Sequence, residues 1–199
     1  MKEHKRIKLF SSIASSVIII LFACVLIVIY AMAQSQPASQ ELVQRGAYLA
    51  RAGDCIACHT TSKGKPYAGG TPIATPMGII YSTNITPDLE TGIGHYSMDN
   101  FVKVMREGVT DDGDHLYPAM PYTSYAKVSR EDLSALYAYF MQGVESVRQP
   151  NHPTKLRWPL SIHSLMVVWN GLYLKKGEYI SDANKSVSWN WGAYLVQGL

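Results

Sequence analysis

From Ile13 to Met32 the chain is apolar almost without interruption, whereas after residue 40 apolar positions recur only in short patches at helical spacing. Leu42, Val43, Tyr48, Leu49 and Ala52 predict a helix from Glu41 to Ala52 that runs up to Cys55. A second helix is expected from Ser97, an N-cap residue, with Phe101, Val104, Met105 and Val109 as its stripe and Gly108 near its end. A third starts at Ser129, with Asp132 three residues on as a weak capping box. Leu133, Leu136, Tyr137, Phe140 and Met141 form its stripe, and Gly143 stops it. Between the first two helices, Thr60 to Gly94 is rich in Gly, Pro and Thr and breaks any long helix. Alternation of the kind that marks strands is poor throughout.

Three short helices and a loop of that length leave a thin core for a domain spanning residues 41–145. A bulky apolar group in the middle would supply what the side chains lack. A loop so long without periodicity of its own is commonly functional or wrapped round something. Beyond it, residues 146–190 are punctuated by Pro150, Pro153 and Pro159. They read as an interdomain linker with an amphipathic helix, in which Ile162, Leu165, Met166, Trp169 and Tyr173 recur at helical spacing. That stripe is either core of its own domain or a docking face for a neighbouring domain or the membrane surface. Arg45-Gly46-Ala47-Tyr48-Leu49 recurs as Trp191-Gly192-Ala193-Tyr194-Leu195. Residues 191–199 therefore read as the start of a second domain of the first kind, cut short.

Charge sharpens the reading of the N-terminus. The net charge is +3, from 18 Lys and Arg against 15 Asp and Glu. The first ten residues hold Lys2, Lys5, Arg6 and Lys8 against Glu3, and removing them leaves 14 of each sign. The body is neutral, which argues against nucleic acid as a partner. A basic start, an apolar run and Ala31-Met32-Ala33 give residues 1–33 the form of a secretory signal peptide; the length of the run also suits an N-terminal membrane anchor. Either places the body outside the cytoplasm. Residues 34–40 are a polar linker.

Of three cysteines, Cys24 lies in the apolar leader, and only Cys55 and Cys58 belong to the body. Cys55-Ile56-Ala57-Cys58-His59 has the spacing of the c-type haem attachment motif. Two thiols three residues apart each form a thioether with one haem vinyl group, and the adjacent imidazole falls beneath the iron as axial ligand. A thioredoxin-type pair would need a preceding strand and has no use for His59. A finger-like zinc site needs two more ligands, and no further cysteine exists in the body. The sixth iron ligand decides the chemistry. Met120, between Pro118 and Pro121 in a stiff extended stretch, is the leading candidate. His115 is the main alternative and Met77 a minor one. With His59 and Met120 both bound, the iron passes single electrons and takes no substrate. No nucleophile–base or paired-carboxylate arrangement stands out, so no catalytic residue is assigned.

Several stretches together resemble a known family. They are the residue 45–49 segment, the haem motif, residues 80–88 (Ile-Tyr-Ser-Thr-Asn-Ile-Thr-Pro-Asp), Gly92-Ile93-Gly94, residues 105–109 and Tyr117-Pro118-Ala119-Met120-Pro121-Tyr122. They resemble the first haem domain of the cytochrome c subunit of bacterial membrane-bound alcohol, gluconate and related sugar or aldehyde dehydrogenases, over about residues 40–199. The resemblance implies a mainly α, class I cytochrome c fold round one covalent haem c. It implies His59 and Met120 as the axial pair, with Asn84 and its neighbours beside the haem. It further implies an electron-transfer subunit acting with a CH–OH-oxidising dehydrogenase rather than the catalytic subunit itself. Such a subunit is membrane-associated, on the periplasmic side of the bacterial inner membrane, and passes electrons toward ubiquinone or another respiratory-chain acceptor. The family has three haem domains where this chain has one haem motif, so the chain is expected to be a truncated piece. The competing reading is a free-standing monohaem cytochrome c that donates to a terminal oxidase.

Overall fold

The computed structural model describes residues 38–199, together with Phe22, Cys24 and Val25. Apart from those three, the leader and residues 34–37 of the linker lie outside the described residues. Residues 38–199 form one unit, and among the described residues no helix is long and apolar enough to cross a membrane.

The helices begin where side chains can satisfy the first free backbone N–H groups. Helix α1, Gln40–Ala52, is capped by Ser39, whose hydroxyl accepts from the Leu42 N–H at 3.2 Å. The single turn α2, Cys55–Cys58, follows it at once. Helix α3, Met98–Glu107, starts at the expected Ser97 cap, which accepts from Asn100 N–H at 3.1 Å, and ends at Gly108. The short α4, Tyr122–Tyr125, leads into α5, Arg130–Ala138, capped by Ser129 on the Asp132 N–H at 3.1 Å. The third expected helix thus exists, but its last turn, Tyr139–Gly143, widens into a π-helix before Val144 turns extended. Helices α6, Leu165–Tyr173, and α7, Val187–Gly198, complete the set.

The poor strand signal conceals a small sheet. Strands β1, Pro72–Thr75, and β2, Gly78–Tyr81, form an antiparallel hairpin inside the proline-rich stretch, and β3, Lys155–Leu156, adds to β2. No strand exceeds four residues, too few for alternation to show. The β2–β3 pairing joins segments some 75 positions apart, which no local pattern encodes.

The core gathers Leu49 from α1, Phe101 and Met105 from α3, Tyr125 from α4 and Leu133 and Leu136 from α5, with Phe140 beside them. Helix α1 lies against α5 at Gly46, where an added Cβ would stand 1.9 Å from the Ala135 carbonyl oxygen. Asp132 ties three helices together. Only 1% exposed, it accepts from Arg45 Nε on α1 at 2.6 Å and from the Tyr194 hydroxyl on α7 at 2.6 Å. The repeated segment in α7 therefore packs on this same unit, with Tyr194 buried and Leu195 and Leu199 against the core. Residues 146–157, read from sequence as linker, are bonded to the loop after β2. Asn84, 1% exposed, donates from Nδ2 to the Val147 carbonyl at 2.7 Å and to Thr91 Oγ1 at 3.1 Å. Its Oδ1 accepts from the Thr86 N–H at 2.9 Å and the Thr86 hydroxyl at 2.7 Å.

The two copies of the repeat should respond oppositely to the same change. Gly46→Ala forces α1 off α5 and should cost about 2–3 kcal/mol. Gly192→Ala, in α7 with nothing within 4 Å of the added methyl, should be neutral or stabilising by up to ~1 kcal/mol. Denaturant unfolding of both variants checks this. Asn84→Ala strands several buried partners at once and should lower stability by about 2–3 kcal/mol in the same measurement.

Candidate functional site

The chain reverses between α1 and α2 at Asp54, which adopts left-handed backbone angles (φ 47°). Helix α2 is one turn long, so Cys55 and Cys58 at its two ends project on the same side. Both thiols are free; Cys55 packs against the core, whereas Cys58 is exposed. His59 closes the turn, its N–H donating to the Cys55 carbonyl at 3.0 Å. The ring's Nδ1 sits 2.7 Å from the Thr83 carbonyl oxygen. A carbonyl only accepts, so Nδ1 carries the proton and Nε2 keeps its lone pair. The loop reaches that place because Gly69, at φ 73°, lets backbone meet backbone. A Cβ there would stand 2.3 Å from the Thr83 carbonyl carbon. The Gly69 N–H also donates to the His59 carbonyl at 2.8 Å.

Burial sets the charge of these groups. It pushes the Cys55 thiol up to about 11, opposite to the lowered thiol of a disulfide oxidoreductase. It pushes the His59 imidazole down, partly opposed by the hydrogen bond to Thr83. The site is thus a neutral Cys55 thiol beside a neutral imidazole of fixed tautomer. Among the described residues no three His, Cys, Asp or Glu side chains cluster as for a bare metal ion. Cys55 abuts an apolar, aromatic cluster that includes Leu49, Tyr67, Phe101, Tyr125 and Phe140. This donor set fits a porphyrin tethered through sulfur and ligated by one imidazole.

Met120 lies on the bend before α4, half-buried, packed against the same cluster as Cys55. The other candidates lie elsewhere. Met77, 43% exposed, occupies the turn between β1 and β2. His115 pairs through its backbone with Val109 and lines a cavity of about 350 Å³ beside α6, with Glu107, Asn170 and Lys176. Its Nδ1 is buried with no hydrogen-bond partner among the described residues.

Two features escaped sequence reasoning. The Thr83 carbonyl is a backbone atom and carries no side-chain signal. Tyr67, buried at φ 63°, holds a conformation that costs a bulky residue about 1–2 kcal/mol. It is locked there by its N–H donating to Thr60 Oγ1 at 3.0 Å and its carbonyl accepting from Ile85 N–H at 2.9 Å. The Gly69-Gly70 pair just after it was the one local hint of unusual backbone.

Comparison with known proteins agrees with this geometry. A family profile described as Cytochrome c matches residues 43–143. The gluconate 2-dehydrogenase cytochrome c subunit of Pantoea cypripedii is 54% identical over 170 residues, which is 85% of this chain and 38% of that protein. The fructose dehydrogenase cytochrome subunit of Gluconobacter japonicus is 45% identical over 159 residues, 79% of this chain and 33% of that one. The cytochrome c subunit of the quinone alcohol dehydrogenase of Gluconobacter oxydans is 44% identical over 172 residues, 85% and 36% of the two chains. This chain therefore spans well under half the length of these relatives. A cytochrome c domain carries its haem covalently, and the match over residues 43–143 shows that this chain belongs to the cytochrome c family.

Proposed function

We propose that the chain is an electron-transfer cytochrome c of class I fold, with one haem joined to Cys55 and Cys58 and ligated by His59 and Met120. It would accept electrons from a membrane-bound dehydrogenase of alcohols, gluconate or related sugars and pass them toward ubiquinone or another respiratory-chain acceptor. The observation that carries the reading is the neutral, tautomer-fixed His59 one residue past two free thiols on a single turn.

Bound haem supplies a one-electron Fe(III)/Fe(II) couple. The protein's part is to hold that couple still. Thr83 fixes the ring plane of His59 and strengthens it as a donor through the Nδ1 hydrogen bond. Leu49, Tyr67, Phe101 and Phe140 exclude water from the side on which Cys55 lies. Met120 would supply a thioether as the second protein ligand, which would close the iron to substrate and raise its potential. With both protein ligands retained, His59 and Met120 would need little rearrangement as the charge changes.

The dehydrogenase partner rests on relatives whose names describe cytochrome subunits of dehydrogenases. The periplasmic location rests on the basic-then-apolar leader. The half-buried setting of Met120 against the Cys55 cluster favours it over His115.

Replacing Cys55 and Cys58 by Ser should abolish haem that survives a denaturing gel, read by peroxidase stain; a stained band would end the assignment. Met120→Ala should lower the midpoint potential by on the order of 0.1 V, within the ~0.8 V that axial ligation spans, and let carbon monoxide bind the reduced protein rapidly. His115→Ala should change neither. Reversal of those two results would make His115 the sixth ligand.

A further inference from the structure

Helix α6 is apolar on almost every side. Among its nine residues, Leu165–Tyr173, the one fully polar side chain is Asn170, and that one turns inward. Asn170 donates to the Glu107 carbonyl at 3.0 Å and accepts from the Tyr122 hydroxyl at 2.7 Å. Met166 is buried, and the Trp169 ring lies 6.0 Å from that of Tyr122. The inner face is thus complete. The outer face shows Leu165, Val167, Val168, Leu172 and Tyr173 to solvent, with Leu172 73% exposed. A helix facing water on one side normally carries polar residues there; one apolar all round has apolar matter on both sides. Trp158, 81% exposed, and Ile162 extend the patch toward the preceding turn.

Along the segment itself, residues 146–177, the charged side chains have one sign. No Asp or Glu occurs between Glu145 and Glu178, and Glu178 is itself engaged by Arg106. Lys155 and Arg157 stand before the apolar patch, and Lys175 and Lys176 stand after it. Of these, Lys176 has a carboxylate partner, Glu107 at 3.2 Å. Nine residues rise about 13 Å, far short of the ~20 residues a bilayer crossing needs. Such a helix can lie in a membrane surface but cannot pass through it.

We propose that the segment Lys155–Lys176, with α6 at its centre, lies in the surface plane of an anionic phospholipid bilayer. Leu165, Val168 and Leu172 enter the acyl boundary, Trp158 and Tyr173 sit at headgroup level, and the basic residues at both ends contact lipid phosphates. A protein partner would ordinarily be met by several hydrogen-bonding side chains within the face, and α6 turns outward only the hydroxyl of its terminal Tyr173. The proposal rests on α6 and its flanks and does not depend on which residues ligate haem.

A nitroxide label placed at Leu172→Cys, in a Cys24→Ser background of the haem-loaded full chain, reads immersion at that one position. Binding of the chain through other residues cannot mimic the signal. On vesicles of phosphatidylethanolamine with 30% phosphatidylglycerol, the ratio of oxygen to nickel-chelate accessibility should rise severalfold. A label at Gln44→Cys, on α1, should not change. Adding Arg157→Glu and Lys175→Glu, or using pure phosphatidylcholine, should remove the rise. A label that keeps its aqueous accessibility on vesicles carrying bound protein overturns the proposal. Immersion as deep in phosphatidylcholine overturns it as well, since charge would then play no part. A label silent on vesicles but immobilised by a detergent-solubilised dehydrogenase would assign the face to a protein instead.

Discussion

The hydrogen bond from His59 Nδ1 to the Thr83 carbonyl is the contact on which the site depends. It chooses the tautomer, sets the plane of the imidazole and leaves Nε2 as the only donor atom of the ring. The carbonyl in turn has to be held in place by something other than the histidine. Gly69 lets the two backbones approach, and its N–H fastens to the His59 carbonyl. Asn84, the next residue after Thr83, is pinned by five side-chain hydrogen bonds, and its own N–H donates to Asn151 Oδ1 at 2.7 Å. A buried polar network of this kind is costly if half made and rigid when complete. It explains how a stretch without long helices can still position a ring closely.

The same dependence explains why residues past the third helix matter. Val147, Gln149 and Asn151 supply acceptors and donors to the 82–91 loop, and Gln149 also donates to the Ala68 carbonyl at 2.9 Å. At the other end, Tyr194 reaches Asp132, which also holds Arg45 of α1. The 146–199 segment is thus bonded at one end to the loop that follows Thr83 and at the other to α5, which packs on α1. Apolar area alone would not have held them, because the protein's own core is small and aromatic-rich.

How legible this was in the sequence differed by kind of signal. The Ser39, Ser97 and Ser129 caps are local devices that act within four residues, and Ser97 and Ser129 were readable as such. The Cys-x-x-Cys-His turn is equally local. The three strands were not readable, since each has two to four residues and β3 pairs with β2 only through the whole fold. Thr83 was hidden because its functional atom is main chain. Tyr67 was hidden because no propensity favours a bulky residue at positive φ; tertiary bonds at Thr60 and Ile85 impose it. Gly46 and Gly192 look identical in the repeat, yet one lies in a helix crossing and the other faces open space. Sequence similarity between the copies carried no information about that difference.

The proposed role of electron carrier asks for firmness where the redox centre would be held and access where partners would meet it, and the two demands fall on separate regions. Around His59, polar groups are paired and the backbone is locked at two strained or close-packed points, Tyr67 and Gly69. On α6 the outward surface is apolar up to the Tyr173 hydroxyl, and Asn170 serves the interior. Asn170 links the two regions physically. It accepts from Tyr122, whose N–H donates to the Met120 carbonyl at 2.8 Å. The helix that presents the apolar face therefore also braces the bend that carries Met120. Holding that face against a surface would leave the bend more fixed, not less, which suits the ligand role proposed for Met120.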